Sequence, residues 1–121
     1  MAKSPKADVL SAKCPSREIL DHVTSTWGCL ILVVLQEKTY RFSELRRRID
    51  GVSEKMLSQT LKTLEADGFI SKRDYKEIPP RVEYSLTSLG KEVAQHVHAL
   101  AGWVEKNAVK IVSHQKKSAV N

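Results

Sequence analysis

The chain has 121 residues, room for one hydrophobic core, and its 41% hydrophobic and 28% charged residues exclude both a wholly disordered chain and a fibrous repeat. Twenty basic against fourteen acidic residues give a net charge of +6, a balance suited to a polyanionic partner. The longest uncharged apolar run, Cys29 to Leu35, is far shorter than the roughly 20 residues that cross a bilayer, and no apolar stretch precedes Cys14, so a cytoplasmic protein with neither membrane span nor secretory signal is expected.

Residues 1–13 are polar, carry lysines and lack a hydrophobic period, which predicts a flexible basic arm. Pro15 suits the first position of a helix running to Thr26, with Ile19, Leu20 and Val23 at helical spacing. Trp27-Gly28 reads as a break. The run Cys29 to Leu35 is apolar all round; a buried strand competes with a covered central helix, and continuation through Gln36-Glu37-Lys38 favours the helix. Thr39-Tyr40-Arg41 reads as extended, and a further helix opens at Phe42 with Ser43 as N-cap and closes at Asp50-Gly51.

Ser53 is expected to cap the next helix, Glu54 to Ala66, with Leu57, Leu61 and Leu64 on one side and Lys55, Ser58, Gln59 and Lys62 on the other. Two helices across a short glycine-containing turn form a helix-turn-helix pattern. Phe69 to Tyr75 and Arg81 to Leu86 then read as the strands of a hairpin, or wing, with Lys76-Glu77-Ile78-Pro79-Pro80 as a stiff tip. Thr87 can cap a long helix from Ser88 to about Ser113, leaving residues 114–121 as a frayed tail. The expected fold is therefore mainly α with a small β-hairpin: a winged helix-turn-helix over residues 14–113.

Several separated motifs occur in order: Phe42-Ser43-Glu44-Leu45-Arg46-Arg47-Arg48-Ile49, Gly51 to Gln59, Leu61 to Ile70, and Pro79 to Thr87 with Gly90. Together with Cys14-Pro15 and Trp27, they make residues 14 to 105 resemble the HxlR-type helix-turn-helix regulators of bacteria. The resemblance implies a homodimeric transcription regulator. It also implies a role for Cys14 in sensing oxidants or electrophiles, as in family members with a cysteine there.

The residues support a DNA interface on their own chemistry. Ser53, Lys55, Met56, Ser58, Gln59 and Lys62 lie where a second helix enters the major groove: Gln59 can pair bidentately with adenine, the lysines can reach guanine or phosphate, and Met56 can touch a thymine methyl. Arg46, Arg47 and Arg48 cannot share one helical face, so one or two of them, Arg46 foremost, are expected on phosphates. In the wing, Lys72, Arg73, Lys76 and Arg81 cluster at a rigid turn suited to the minor groove, with Arg81 the leading candidate.

The stripe Leu89, Val93, Val97, Leu100, Trp103 and Val104 is longer than so small a domain can cover, which predicts a dimer through the terminal helices. Two-fold symmetry in turn predicts double-stranded DNA with an inverted-repeat operator, its arms about 34–36 Å apart. Cys14 as N-cap, near Lys13 and Arg17, is expected to ionise readily; Cys29 reads as a small buried hydrophobe. His96 and His98 point to different helix faces, and no metal or cofactor site is read. A winged helix that docks on an acidic protein instead of DNA is the alternative. An enzyme is disfavoured by the lack of a phosphate loop, an activated nucleophile or a carboxylate cluster. A small-molecule pocket between dimer helices stays open.

Overall fold

The apolar run in the first third of the chain is the centre of the molecule and it is helical. The computed structural model describes residues 6–120. Its elements are α1 (Pro15–Thr24), α2 (Thr26–Val34), β1 (Tyr40–Arg41), α3 (Phe42–Arg48), α4 (Glu54–Ala66), β2 (Ile70–Asp74), β3 (Val82–Leu86) and α5 (Ser88–Val120). The fold is mainly helical with a small antiparallel sheet of order β1-β3-β2. Ile31 and Leu32 of α2 are fully buried, against Leu45 of α3, Leu57, Leu61 and Leu64 of α4, and Ala94 and Val97 of α5.

Several boundaries differ from the sequence expectation, each for a local reason. The break after α1 falls at Ser25, whose hydroxyl caps α2 by accepting from Gly28 N at 3.2 Å. Trp27-Gly28 is not a stop: a Cβ on Gly28 would lie 2.1 Å from His22 O, so this glycine lets α1 and α2 approach. The helix gained at that end is lost at the other, because α2 stops at Val34 and residues 35–37 form turns. Ser43 is not the N-cap of α3. Arg41 holds that place, because its backbone is extended in register with Glu83 and its N–H is taken by Glu44 Oε1 at 2.8 Å. Pairing of Tyr40 with Tyr84 makes the expected two-stranded hairpin a three-stranded sheet.

Local structure extends into the described residues on both sides of the helical domain. Residues 1–5 of the predicted arm lie outside the described residues; residues 9–10 and 12–13 form turns, with Cys14 N donating to Ser11 O and the Arg17 guanidinium to Val9 O at 2.8 Å and Leu10 O at 3.0 Å. At the other end α5 continues through the segment expected to fray, as far as Val120. No glycine or proline interrupts it after Gly102, and Lys117 in its last turn complements the helix dipole.

The wing and α5 meet at one residue. Thr87 N donates to Phe69 O at 3.0 Å, and the Thr87 hydroxyl donates to Gly68 O at 2.6 Å while accepting from Gly90 N at 3.0 Å. This closes the first turn of α5 onto the start of β2. A Cβ on Gly90 would sit 1.9 Å from Phe69 O, a backbone atom that cannot step aside alone. Gly90→Ala is therefore expected to destabilise the fold by about 1–3 kcal/mol, read as a lowered urea midpoint at unchanged m-value.

Candidate nucleic-acid interface

The helix-turn-helix is built as its residues require. Ile49 ends α3, Gly51 takes φ +86, and the Ser53 hydroxyl caps α4 by accepting from Met56 N at 3.0 Å. Burial of Leu57, Leu61 and Leu64 turns Lys55, Met56, Gln59 and Lys62 outward, all exposed, with Ser58 half-buried beside them. The threonines on this helix are occupied: Thr60 Oγ1 donates to Met56 O at 2.7 Å and Thr63 Oγ1 to Gln59 O at 3.1 Å. Ser53 retains its hydroxyl proton for a partner, since its cap uses only the oxygen.

The three arginines of α3 divide. Arg48, though exposed, donates to both oxygens of the Glu37 carboxylate, at 2.8 and 3.2 Å, and Tyr40 OH donates to the same carboxylate at 2.6 Å. These hydrogen bonds, Arg48's first and Tyr40's second, hold the Glu37 carboxyl below the usual carboxylate range. Arg46 lies 3.8 Å from Glu54 in an exposed pair of little strength, and Arg47 is exposed.

Arg81, the leading candidate of the wing, is 33% exposed, with its guanidinium 3.6 Å from the Tyr75 ring centre. Its Nε is buried without a hydrogen-bond partner, 3.8 Å from Glu77 and 4.0 Å from Glu83. Arg73 stacks on the same ring at 4.4 Å, and Tyr75 OH donates to Glu83 at 3.0 Å. Lys72 and Lys76 are fully outward. Sequence reasoning missed Tyr75; an aromatic residue between two arginines was the available signal.

Cys14 is the N-cap of α1, yet its thiol makes no hydrogen bond to that helix's free N–H groups as a side-chain cap would. Its Sγ accepts from Asp8 N at 3.4 Å and lies 3.0 Å from Ser16 Oγ. The Asp8 N–H, and after it the Ser16 contacts, pull the Cys14 thiol below its ordinary value. Arg17, expected to contribute charge here, spends its guanidinium on Val9 and Leu10 carbonyls. Burial pushes the Cys29 thiol up.

The apolar stripe of α5 faces two ways. Val97 is 5% exposed and belongs to the chain's own core, as does half-buried Val93. Leu89, Leu100, Trp103 and Val104 are exposed, Leu100 at 54% and Trp103 at 57%, as are Ile19 and Leu20 of α1. His96 and His98 are exposed, His98 Nδ1 lying 2.6 Å from Gln36 Oε1. Among the described residues no group of His, Cys, Asp or Glu is arranged to hold a metal, and no helix is long and apolar enough to cross a membrane.

Residues 22–111 match the HxlR-like helix-turn-helix family. The chain is 53% identical over 114 residues to the HTH-type transcriptional regulator YtfH of Escherichia coli K12, a match covering 94% of this chain and 90% of the relative. The solved structure of the transcriptional regulator ytfH from Salmonella typhimurium superposes with a TM-score of 0.89 at 51% identity, covering 92% of this chain and 99% of that one. The redox regulator HypR in its reduced form gives a TM-score of 0.73 at 32% identity, covering 82% and 98%. The chain thus belongs to the HxlR-like helix-turn-helix family, whose named relatives are transcriptional regulators.

Proposed function

We propose that the protein is a homodimeric, sequence-specific DNA-binding transcriptional regulator of the cytoplasm that reads an inverted repeat and responds to oxidants or electrophiles through Cys14. The observation that carries the DNA reading is the two-sidedness of α4. Its leucines are buried, while Lys55, Met56, Gln59 and Lys62 stand together on the outer side, followed in the chain by the exposed Lys72 and Lys76 of the wing. Gln59 and Lys55 read base edges, helped by Ser53 and Ser58; Met56 meets a thymine methyl; Lys62, Arg46, Lys72 and Lys76 hold phosphates. Arg81, anchored on Tyr75, offers only the outer part of its guanidinium, so it serves as a fixed donor at the groove edge.

Titration of duplexes selected from a random pool tests this reading. Gln59→Ala is expected to lower discrimination between selected and random duplexes by about 1–3 kcal/mol. Combined Lys72→Ala and Lys76→Ala weakens binding to all sequences alike and flattens the plot of log K against log salt by about 1.8. Salt-independent binding, or none, rejects the DNA reading.

The dimer reading rests on Leu89, Leu100, Trp103 and Val104, exposed along α5, and on the exposed Ile19 and Leu20 of α1. A second copy related by a two-fold axis covers such a self-complementary surface and sets two α4 helices toward successive major grooves. Leu100→Lys with Trp103→Glu is expected to leave helix content unchanged and halve the mass in sedimentation equilibrium. A wild-type chain that sediments as a monomer at micromolar concentration rules the dimer out.

Support for a sensing role comes from the redox regulator among the similar structures and from the local chemistry of Cys14. Its thiolate adds to the β-carbon of an unsaturated carbonyl compound: the S–C bond forms, the C=C π pair moves to the α-carbon, and solvent supplies the proton there. Because its thiol is lowered while that of Cys29 is raised, alkylation of Cys14 by N-ethylmaleimide should persist to lower pH than alkylation of Cys29, as read by peptide mass spectrometry. The reagent should weaken operator binding by wild type at least about tenfold and leave Cys14→Ser unaffected. Equal loss in both proteins removes Cys14 from the switch.

A further inference from the structure

The wing ends in an apolar point that no other described residue covers. Ile78 is 100% exposed, more than any other large hydrophobic side chain among the described residues. The loop that carries it is braced. Tyr75 N donates to Arg81 O at 3.0 Å, Lys76 N donates to Asp74 Oδ1 at 2.8 Å with Lys76 at φ 53, and Pro79 and Pro80 follow with fixed φ and no N–H. The aromatic surface on which an isoleucine could fold back is already taken, since Tyr75 carries the guanidinium groups of Arg81 at 3.6 Å and Arg73 at 4.4 Å. Ile78 is held out in water by its own loop.

Its surroundings select the partner. A protein-docking point has an apolar centre from which lysine is depleted. Ile78 instead stands alone among the exposed cations Lys72, Arg73 and Lys76 of the same hairpin. Of the neighbouring carboxylates, Asp74 accepts from Lys76 N, Glu83 accepts from Tyr75 OH, and the exposed Glu77 lies 3.8 Å from Arg81 Nε. Cations flanking an isoleucine or proline point match the equipment of proteins that wedge open the minor groove, where the cations hold phosphates and the apolar side chain slips between two base pairs.

We propose that Ile78, backed by Pro79, is a minor-groove wedge that partly unstacks one base step beside the site read by α4. The wedge rests on the DNA-binding reading above and adds a deformation to it. Bases on either side of the step lose stacking and the duplex bends away from the wing, which favours flexible pyrimidine–purine steps at positions that no polar side chain reads. Preorganisation of the loop matters here, because a wedge that had to be ordered on binding would lose part of what insertion gains.

The full-length protein is mixed with a duplex selected for wild-type binding from a random pool, end-labelled for energy transfer and carrying 2-aminopurine at single flanking adenines. Wild type and Ile78→Leu should raise 2-aminopurine fluorescence at one step in each arm and shorten the end-to-end distance. Ile78→Ser should do neither, should bind about tenfold more weakly, and should keep the salt dependence because no charge is removed. Its thermal midpoint should equal that of wild type, since the side chain touches no core. Unstacking and bending by Ile78→Ser equal to wild type, or a bound wild type that produces neither, overturns the wedge while operator preference keeps the DNA reading, and assigns the tip to a protein contact. A wild-type chain that binds no duplex overturns both.

Discussion

The molecule depends on the burial of one face of α4. Leu57, Leu61 and Leu64 pack into the core formed with Ile31 and Leu32 of α2 and Leu45 of α3. Each such leucine contributes about 1.5–3 kcal/mol when it leaves water, so the three together far outweigh the cost of displaying polar groups on the opposite side. With 3.6 residues per turn, fixing that face leaves no freedom for the other. Lys55, Gln59 and Lys62 must then point away from the domain, and the chemistry offered to a partner follows from packing of apolar side chains.

This is why most of the fold was legible in the sequence. Period, caps and turn glycines report on short-range constraints, and α4 with Ser53 at its start and Asp67-Gly68 at its end came out as expected. The differences arise where a contact with another element decides. Gly28 looked like punctuation but is the point where α1 and α2 touch, and Ser43 looked like a cap but yields to the pairing of Arg41 with Glu83 on a strand far away in sequence. The stripe on α5 was recognised as one surface, although its period cannot separate Val97, which faces the chain's own core, from Leu100 and Trp103, which do not.

Charge was legible in number and not in availability. Composition gives the same weight to each of the three arginines of α3, yet Arg48 is bound to Glu37 within a cluster that also holds Tyr40. Arg81 has two carboxylates near its Nε and an aromatic ring against its plane. An arginine so placed has lost rotamer freedom before any partner arrives, and its outer nitrogens keep a single direction. The lysines of the wing have the opposite character, as mobile point charges without orientation. On the proposed DNA reading, they divide the work of the surface into a fixed donor and a diffuse field.

The same packing ties the two ends of the proposed switch together. α1 begins at Cys14, and its last turn carries His22, whose Nδ1 lies 2.6 Å from Asp67 Oδ2 at the C-cap of α4. Both side chains are largely withdrawn from water, at 22% and 15% exposure, so this contact is less screened than a surface pair. Gly28 lets α1 and α2 approach more closely than any side chain at that position would allow. On the proposed reading, modification of the Cys14 thiol displaces the Asp8 and Ser16 contacts at the N-terminus of α1, whose last turn touches the C-cap of α4 through His22. That reading makes α1 the physical link between the thiol and α4, with each end held by contacts of its own.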